Sequence, residues 1–289
     1  MSDKACPLCG NNSVVAAPSR SQELQLPEPF EVKWCPSCQH WFLSPAPTDE
    51  YLAQFYEKAE GYSAETFKNR YSSIFVPQFD DLLAQIKDLT GPNPNRILDF
   101  GCADGNFLAH AQKRGWSVLG YEPTPDLAEA AKEKGLDIVV DRNFQDSKIE
   151  KSSIDVIHTA HVLEHLREPL SALKWFHEVL RPGGILSIQV PNQFRDALWP
   201  LLHKRWISRD LALGYHVHHL QFFTPHSLKQ SVNKFGFEVI ETSTSFAQRN
   251  RRTVASGRRR SLRAAKLALY TVAGQLGYGP HIELFARKN

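Results

Sequence analysis

RILDFGCADGNFL, residues 96–108, is an apolar run that reaches an acid at Asp99, bends through Gly101 and the small residues Cys102 to Gly105, and then resumes with helical spacing. A strand that meets a glycine-rich bend and passes straight into a helix is the ligand-bearing unit of an open α/β sheet, because such sheets bind at the C-terminal ends of their strands. Outward from this unit, further strand-like runs occur at 116–121, 137–141, 154–159 and 185–190. Helical patterns separate them. Asn106–Arg114 carries Phe107, Leu108 and Ala111 on one face and stops at Gly115. Thr124-Pro125-Asp126 reads as a helix start, with a capping hydroxyl, proline in the first turn and an acid at the positive end of the helix dipole. Pro169–Leu180 is another helix, followed by a turn at Arg181–Gly184. Strand–helix alternation of this kind predicts a doubly wound, mostly parallel sheet. Near the end of the chain a helix opens at Thr224-Pro225, and 237–245 and 281–288 read as two more strands, the last antiparallel if they pair.

The spacing in the bend is D-x-G-x-x-x-G, which differs from the G-x-G-x-x-G of dinucleotide sites. Glu122 closes the second strand of this alternating region, 17 residues past Gly105. An acid there can accept both hydroxyls of a ribose, so the pair of features points to a nucleoside without fixing which cofactor carries it.

With these residues in view, 96–192 resembles a class I S-adenosylmethionine-dependent methyltransferase. ILDFGCADG resembles that family's first motif, GYEPTP its ribose motif, and HVLEHLREP and VLRPGGILSIQVPN its later ones. The resemblance implies an α/β fold with a seven-stranded sheet in the order 3-2-1-4-5-7-6 and an antiparallel seventh strand. It also implies S-adenosyl-L-methionine as cofactor. Carried over, Gly101, Ala103 and Gly105, with Asp104 in the same loop, would let the backbone approach the methionine part. Asp99 would act through water or an amide, and Glu122 would hold the ribose. Asp141, Arg142 and Phe144 would border the adenine, with core packing an equal alternative for Phe144. Thr159, Ala160 and His161 would lie under the methionine end. The chemistry would be direct displacement at a sulfonium methyl, which depends largely on alignment in a dry cavity.

Cys6/Cys9 and Cys35/Cys38 are two C-x2-C pairs. Two such knuckles converge four soft thiolates on one ion, a set that suits structural Zn2+. Four free thiols are the competing reading. Gly10 fits a turn with positive φ, His40 is a candidate substitute ligand, and Cys102 reads as packing. A zinc ribbon over residues 1–47 is therefore expected at the front. It is followed by a helical cover over 48–90, in which Thr48 caps a helix through Tyr51, Leu52, Phe55 and Tyr56 and a second amphipathic stretch spans Phe67–Leu89. The methyltransferase-like part is expected over 91–289, with a basic insertion at 247–279.

HVLEH at 161–165 matches the H-x-x-E-H peptidase pattern, but it directly follows a strand whose end should carry the cofactor. Glu164 and His165 are instead expected to cap and orient the next helix. YHVHHLQFFTPHSL holds His219 and His218, which are candidates for a catalytic base together with His165, against the alternative of hydrogen-bonded structural histidines. The tryptophan-rich stretch 199–206 suggests a lid over an acceptor pocket, with core packing as the competing account.

Net charge is +3, yet Arg249–Arg263 alone holds seven arginines and no acid, leaving +3 − 7 = −4 for the rest. This arm suits an anionic membrane surface or a phosphorylated ligand, and RNA less well; a solvated loop is the plain alternative. No apolar run is long enough to cross a membrane and no signal peptide is visible, so a cytoplasmic location, peripheral to a membrane if the arm docks there, is expected. The leading expectation is methylation of a small-molecule acceptor, such as a sugar or lipid-linked intermediate. RNA base methylation, and a non-catalytic zinc-bearing module that binds cofactor and regulates a partner, are the alternatives.

Overall fold

The computed structural model describes residues 5–23, 26–48, 50–52, 76–91, 96–192, 219–245, 279 and 281–289. In chain order the elements are β1 (Val15–Ala16), α1 (Pro18–Glu23), β2 (Glu31–Cys35), β3 (His40–Ser44), α2 (Val76–Thr90), β4 (Arg96–Phe100), α3 (Asn106–Lys113), β5 (Ser117–Tyr121), α4 (Pro125–Lys132), β6 (Ile138–Val139), β7 (Ile154–Ala160), α5 (Pro169–Val179), β8 (Leu180–Pro191), β9 (Gln221–Phe222), α6 (Pro225–Asn233), β10 (Phe237–Ser245) and β11 (His281–Lys288).

Seven strands form the main sheet in the order β10-β11-β8-β7-β4-β5-β6. This is the expected 3-2-1-4-5-7-6 sheet. β4 pairs in parallel with β5 and β7, while β11 runs antiparallel to both β8 and β10. The central strands are apolar on both faces because both faces are covered. In β4, Ile97 and Leu98 point to opposite faces and both are fully buried. On one face α5 buries Ala172, Leu173, Trp175, Phe176 and Val179. Each large side chain among them contributes roughly 1.5–3 kcal/mol through burial.

Two local expectations change. Arg181–Gly184 is not a free turn: the strand begins at Leu180, opposite Ile154, and these residues bulge out before the pairing resumes at Ile185 opposite Val156. Gly183 supplies the left-handed backbone, with φ 74°, that the bulge needs. At α4, the Thr124 hydroxyl makes no capping hydrogen bond. The Thr124 N–H donates instead to Glu122, so this helix start is organised by the acid of the preceding strand. At α6 the expected helix start is capped by a reciprocal box: Thr224 Oγ1 accepts from the Ser227 N–H and Ser227 Oγ accepts from the Thr224 N–H.

A second sheet has the order β1-β2-β3-β9. Its first three strands come from the cysteine-bearing front, and the fourth comes from Gln221–Phe222, nearly two hundred residues later. The front is thus joined by backbone hydrogen bonds to the segment that follows the main sheet's fifth parallel strand. Of the expected helical cover, Thr48 does accept from the Tyr51 N–H, and α2 packs against α3 through Phe79 and Phe107, whose rings are 5.4 Å apart. Residues 53–75, the tryptophan-rich stretch, His218 and the arginine arm lie outside the described residues. Among the described residues no helix is long and apolar enough to cross a membrane.

Candidate functional site

β4 ends in Asp99, Phe100 and Gly101, and the bend that follows is wound tightly. Gly101, Ala103 and Gly105 all have positive φ, at 82°, 49° and 75°. The two glycines are required by packing as well as by conformation. A Cβ on Gly101 would run into Val162 of the loop after β7, and one on Gly105 would run into Leu136 and come within 2.9 Å of Ala131. Both glycines are expected to let a ligand approach the backbone; the neighbours their missing Cβ atoms would meet are protein side chains. Asp104 is nearly buried and held by Lys134 Nζ and Asn106 Nδ2, each at 2.8 Å. Its carboxylate thus ties down the bend.

Glu122, at the end of β5, is 5 % exposed. Oε2 accepts from the Ala103 N–H and Oε1 from the Thr124 N–H, each at 2.9 Å. A carboxylate has about four acceptor positions. Two are filled by backbone, which fixes the group and leaves lone pairs for two hydroxyls. Burial raises its pKa above the usual carboxylate value, against the opposing effect of those N–H donors. Asp99 lies nearby and is pushed up to about 8, first by burial and then by the Glu122 charge. Two acids crowded at one sheet edge are stable while one holds a proton, and both ionise readily beside a cation or a set of donors.

Across the edge, Thr159 is 1 % exposed and its hydroxyl has no partner among the described residues. A buried hydroxyl with spare donor and acceptor capacity at the end of β7 can meet a polar ligand. Asp141 receives the Tyr121 hydroxyl on its carbonyl oxygen at 2.5 Å, Arg142 is exposed, and Phe144 packs against Phe100 and Trp175, with centroids 5.5 and 5.6 Å away. That packing accounts for Phe144 without a ligand.

Beyond Ala160 the chain turns at His161, whose φ is 58°, into a single 3-10 turn at Leu163–His165. Glu164 does not cap the following helix, contrary to expectation. It is 1 % exposed and faces histidines: His161 Nδ1 is 3.3 Å from its Oε1 and His165 Nε2 is 3.9 Å away. The Leu220 N–H donates to the Glu164 carbonyl at 2.8 Å and so draws His219 in, edge-on to His165 at 4.8 Å between ring centroids. Two of the three candidate bases are therefore neighbours, and the third, His218, lies outside the described residues. His281, which the sequence reading did not single out, stands 5.0 Å from His161. Nothing in its local sequence signals this; only the antiparallel register of β11 against β8 puts it there.

At the front, Cys6 and Cys38 sulfurs are 3.5 Å apart, as are those of Cys9 and Cys35. One sulfur from each of the four lies within 4.8 Å of the others. The Cys38 thiol stabilises a Cys6 thiolate and lowers its pKa to about 5, while Cys38 itself is pushed up by that same neighbour. Such a cluster ionises fully only around a cation. His40 is no part of it; its Nε2 faces Gln221.

Residues 75–242, more than half of the chain, match a methyltransferase-domain family. The chain belongs to that family. It is an S-adenosylmethionine-dependent methyltransferase, with the seven-stranded sheet such enzymes share. An uncharacterized methyltransferase of Geobacillus kaustophilus is 29% identical over 212 residues, 70% of this chain and 93% of the relative. A ubiquinone biosynthesis O-methyltransferase of Cereibacter sphaeroides is 27% identical over 164 residues, 54% of this methyltransferase and 66% of the relative. Among solved structures, a SAM-dependent methyltransferase of Thermotoga maritima superposes with a TM-score of 0.51 at 20% identity, over 78% of this chain and 98% of its own. That likeness concerns the fold alone.

Proposed function

We propose that this methyltransferase moves the methyl group of S-adenosyl-L-methionine to a small-molecule acceptor seated beside His165 and His219. The observation that carries the donor assignment is Glu122, fixed by two backbone N–H groups with acceptor capacity left over at the end of β5. In this reading Glu122 takes the ribose hydroxyls, Asp99 and Thr159 meet the methionine part, and Asp141 borders the adenine. The donor supplies an electrophilic methyl on a sulfonium; the chain's own task is to align and dry the site. The acceptor assignment draws on the imidazole pair at the end of β7, which can take a proton from a hydroxyl or an acidic carbon. The named activity of the Cereibacter relative, an O-methyltransferase in ubiquinone biosynthesis, also favours a small acceptor.

The four cysteines are assigned to one structural Zn2+. Four thiolates leave no open position, so the ion would organise the ribbon and take no part in the transfer. The arginine arm, in this reading, holds an anionic acceptor or docks at an anionic surface.

Calorimetric titration with S-adenosyl-L-methionine tests the central assignment. Saturable binding of one donor per chain, weakened at least tenfold by Glu122→Gln, is expected. Binding of a nicotinamide dinucleotide instead would overturn it. A labelled-donor transfer assay against metabolite and RNA fractions distinguishes a small acceptor from RNA.

A further inference from the structure

We infer that Glu164, His165 and His219 form a divalent-cation site at the C-terminal end of β7, separate from the cysteine cluster. One ligand atom from each lies within 4.8 Å of the other two. Donors that share an ion at metal–ligand lengths near 2.0–2.2 Å stand roughly 3–4.4 Å apart, so small side-chain rotations bring the three onto one cation. The set contains two imidazoles and one carboxylate, which suits manganese, iron, cobalt or zinc better than magnesium or calcium. Three protein ligands leave positions open for a bound molecule.

A second observation points the same way. Glu164 is 1 % exposed, and neither carboxylate oxygen makes a hydrogen bond to any of the described residues. The His161 and His165 nitrogens near Oε1 stand at ion-pair distance without hydrogen-bond geometry. A buried carboxylate with no donors is expensive unless a positive charge lies against it. The backbone adds to the case. The Leu220 N–H to Glu164 carbonyl bond joins two segments more than fifty residues apart, and holds His219 beside the 3-10 turn that carries the other two ligands.

This inference rests on the proposed methyl transfer for its role, though not for its existence. Glu164 lies three residues past His161, next to the strand end assigned to the methionine part. A cation there would hold and acidify an acceptor hydroxyl. The hydroxyl proton leaves to water, the oxygen forms its bond to the methyl carbon, and the carbon–sulfur electron pair returns to sulfur as a neutral thioether. With the cation bound, the two imidazoles are ligands and no longer the proton acceptors that the cation-free reading makes them, and the acceptor class narrows to hydroxyl-bearing molecules.

The test is a titration of the full chain, zinc-loaded at the cysteines and freed of other metals, with Mn2+ followed by electron paramagnetic resonance. Thiolates hold zinc against manganese, so the ribbon does not interfere. One saturable Mn2+ per chain is expected, with affinity reduced at least tenfold in His219→Ala and in His165→Ala. Glu164→Gln should do the same. If that buried substitution prevents folding, the two histidine variants still decide the matter. Wild type that binds Mn2+ no better than the double histidine variant overturns the site and leaves Glu164 balanced by a protonated imidazole. Donor titration on the same samples separates the two claims. Mn2+ binding without donor binding would sink the methyl-transfer reading and leave the cation site standing; donor binding without Mn2+ would do the reverse.

Discussion

Gln221 hydrogen-bonds His40 through Oε1 at 2.9 Å, 181 positions apart in the chain, while its Nε2 donates to the Leu166 carbonyl at 3.0 Å. The second bond fixes the amide orientation, so the His40 Nε2–H is the donor in the first. One side chain therefore links the cysteine ribbon to the loop after β7, two residues from His219. Thr224 repeats the link by donating its hydroxyl to the Gln39 carbonyl at 2.9 Å.

Gln221→Leu should leave the buried His40 N–H without a partner, at about 1–3 kcal/mol, and the half-buried Leu166 carbonyl without this donor at a smaller cost. A drop in the urea midpoint of that order is expected. Methyl transfer should fall more than donor affinity, because the His219 segment loses its anchor while the Glu122 site is untouched. Equal stability of the two proteins would show that the junction carries no load.

Elemental analysis should find one zinc per chain. Cys9 is the exposed member of the four, so Cys9→Ser disturbs packing least. That variant should lose the zinc and melt at a lower temperature, since metal binding is part of the folding free energy of such a module. A zinc-free wild type with an unchanged melting temperature would return the cluster to four plain thiols.

Asp99 makes stability depend on pH. Its folded pKa of about 8 lies far above the unfolded carboxylate value of about 4, so between those limits the native state holds a proton that the unfolded chain has released. The contribution is full at low pH and is lost as pH rises toward 8. Asp99→Asn should flatten this decline by up to roughly 1 kcal/mol per pH unit. Some slope should remain from Glu122, which is raised in the same direction. Thermal melts of both proteins from pH 5 to 8 measure the difference; parallel curves would contradict the burial argument.

Gly101→Ala should destabilise the fold on two counts, the φ of 82° and the collision with Val162. The left-handed backbone costs about 1 kcal/mol, and the forced repacking typically 1–3 kcal/mol more. Adding Val162→Ala should recover the steric part and leave the backbone part. A double variant no more stable than Gly101→Ala alone would place the whole cost in the backbone.

Much of this was legible in the sequence, for local reasons. β-branched runs, glycine stops and a capping threonine depend on neighbours within a few residues, and they determined the order of strands and helices. The motifs along 96–192 carried the family, the sheet order and the acid at Glu122. The C-x2-C pairs carried the ribbon's four sulfurs. What the sequence could not give was the long-range pairing beyond the family's sheet order. Nothing near Gln221 announces a strand in the ribbon's sheet, and nothing near His281 places it beside His161. The H-x-x-E-H pattern was visible, yet whether Glu164 caps a helix or lies buried among imidazoles depends on a segment more than fifty residues later folding back onto it. The role of Gly101 likewise turns on Val162, a contact made across the sheet edge. Local propensity fixes which elements form; only tertiary packing decides which polar groups lose water together, and that desolvation makes a site.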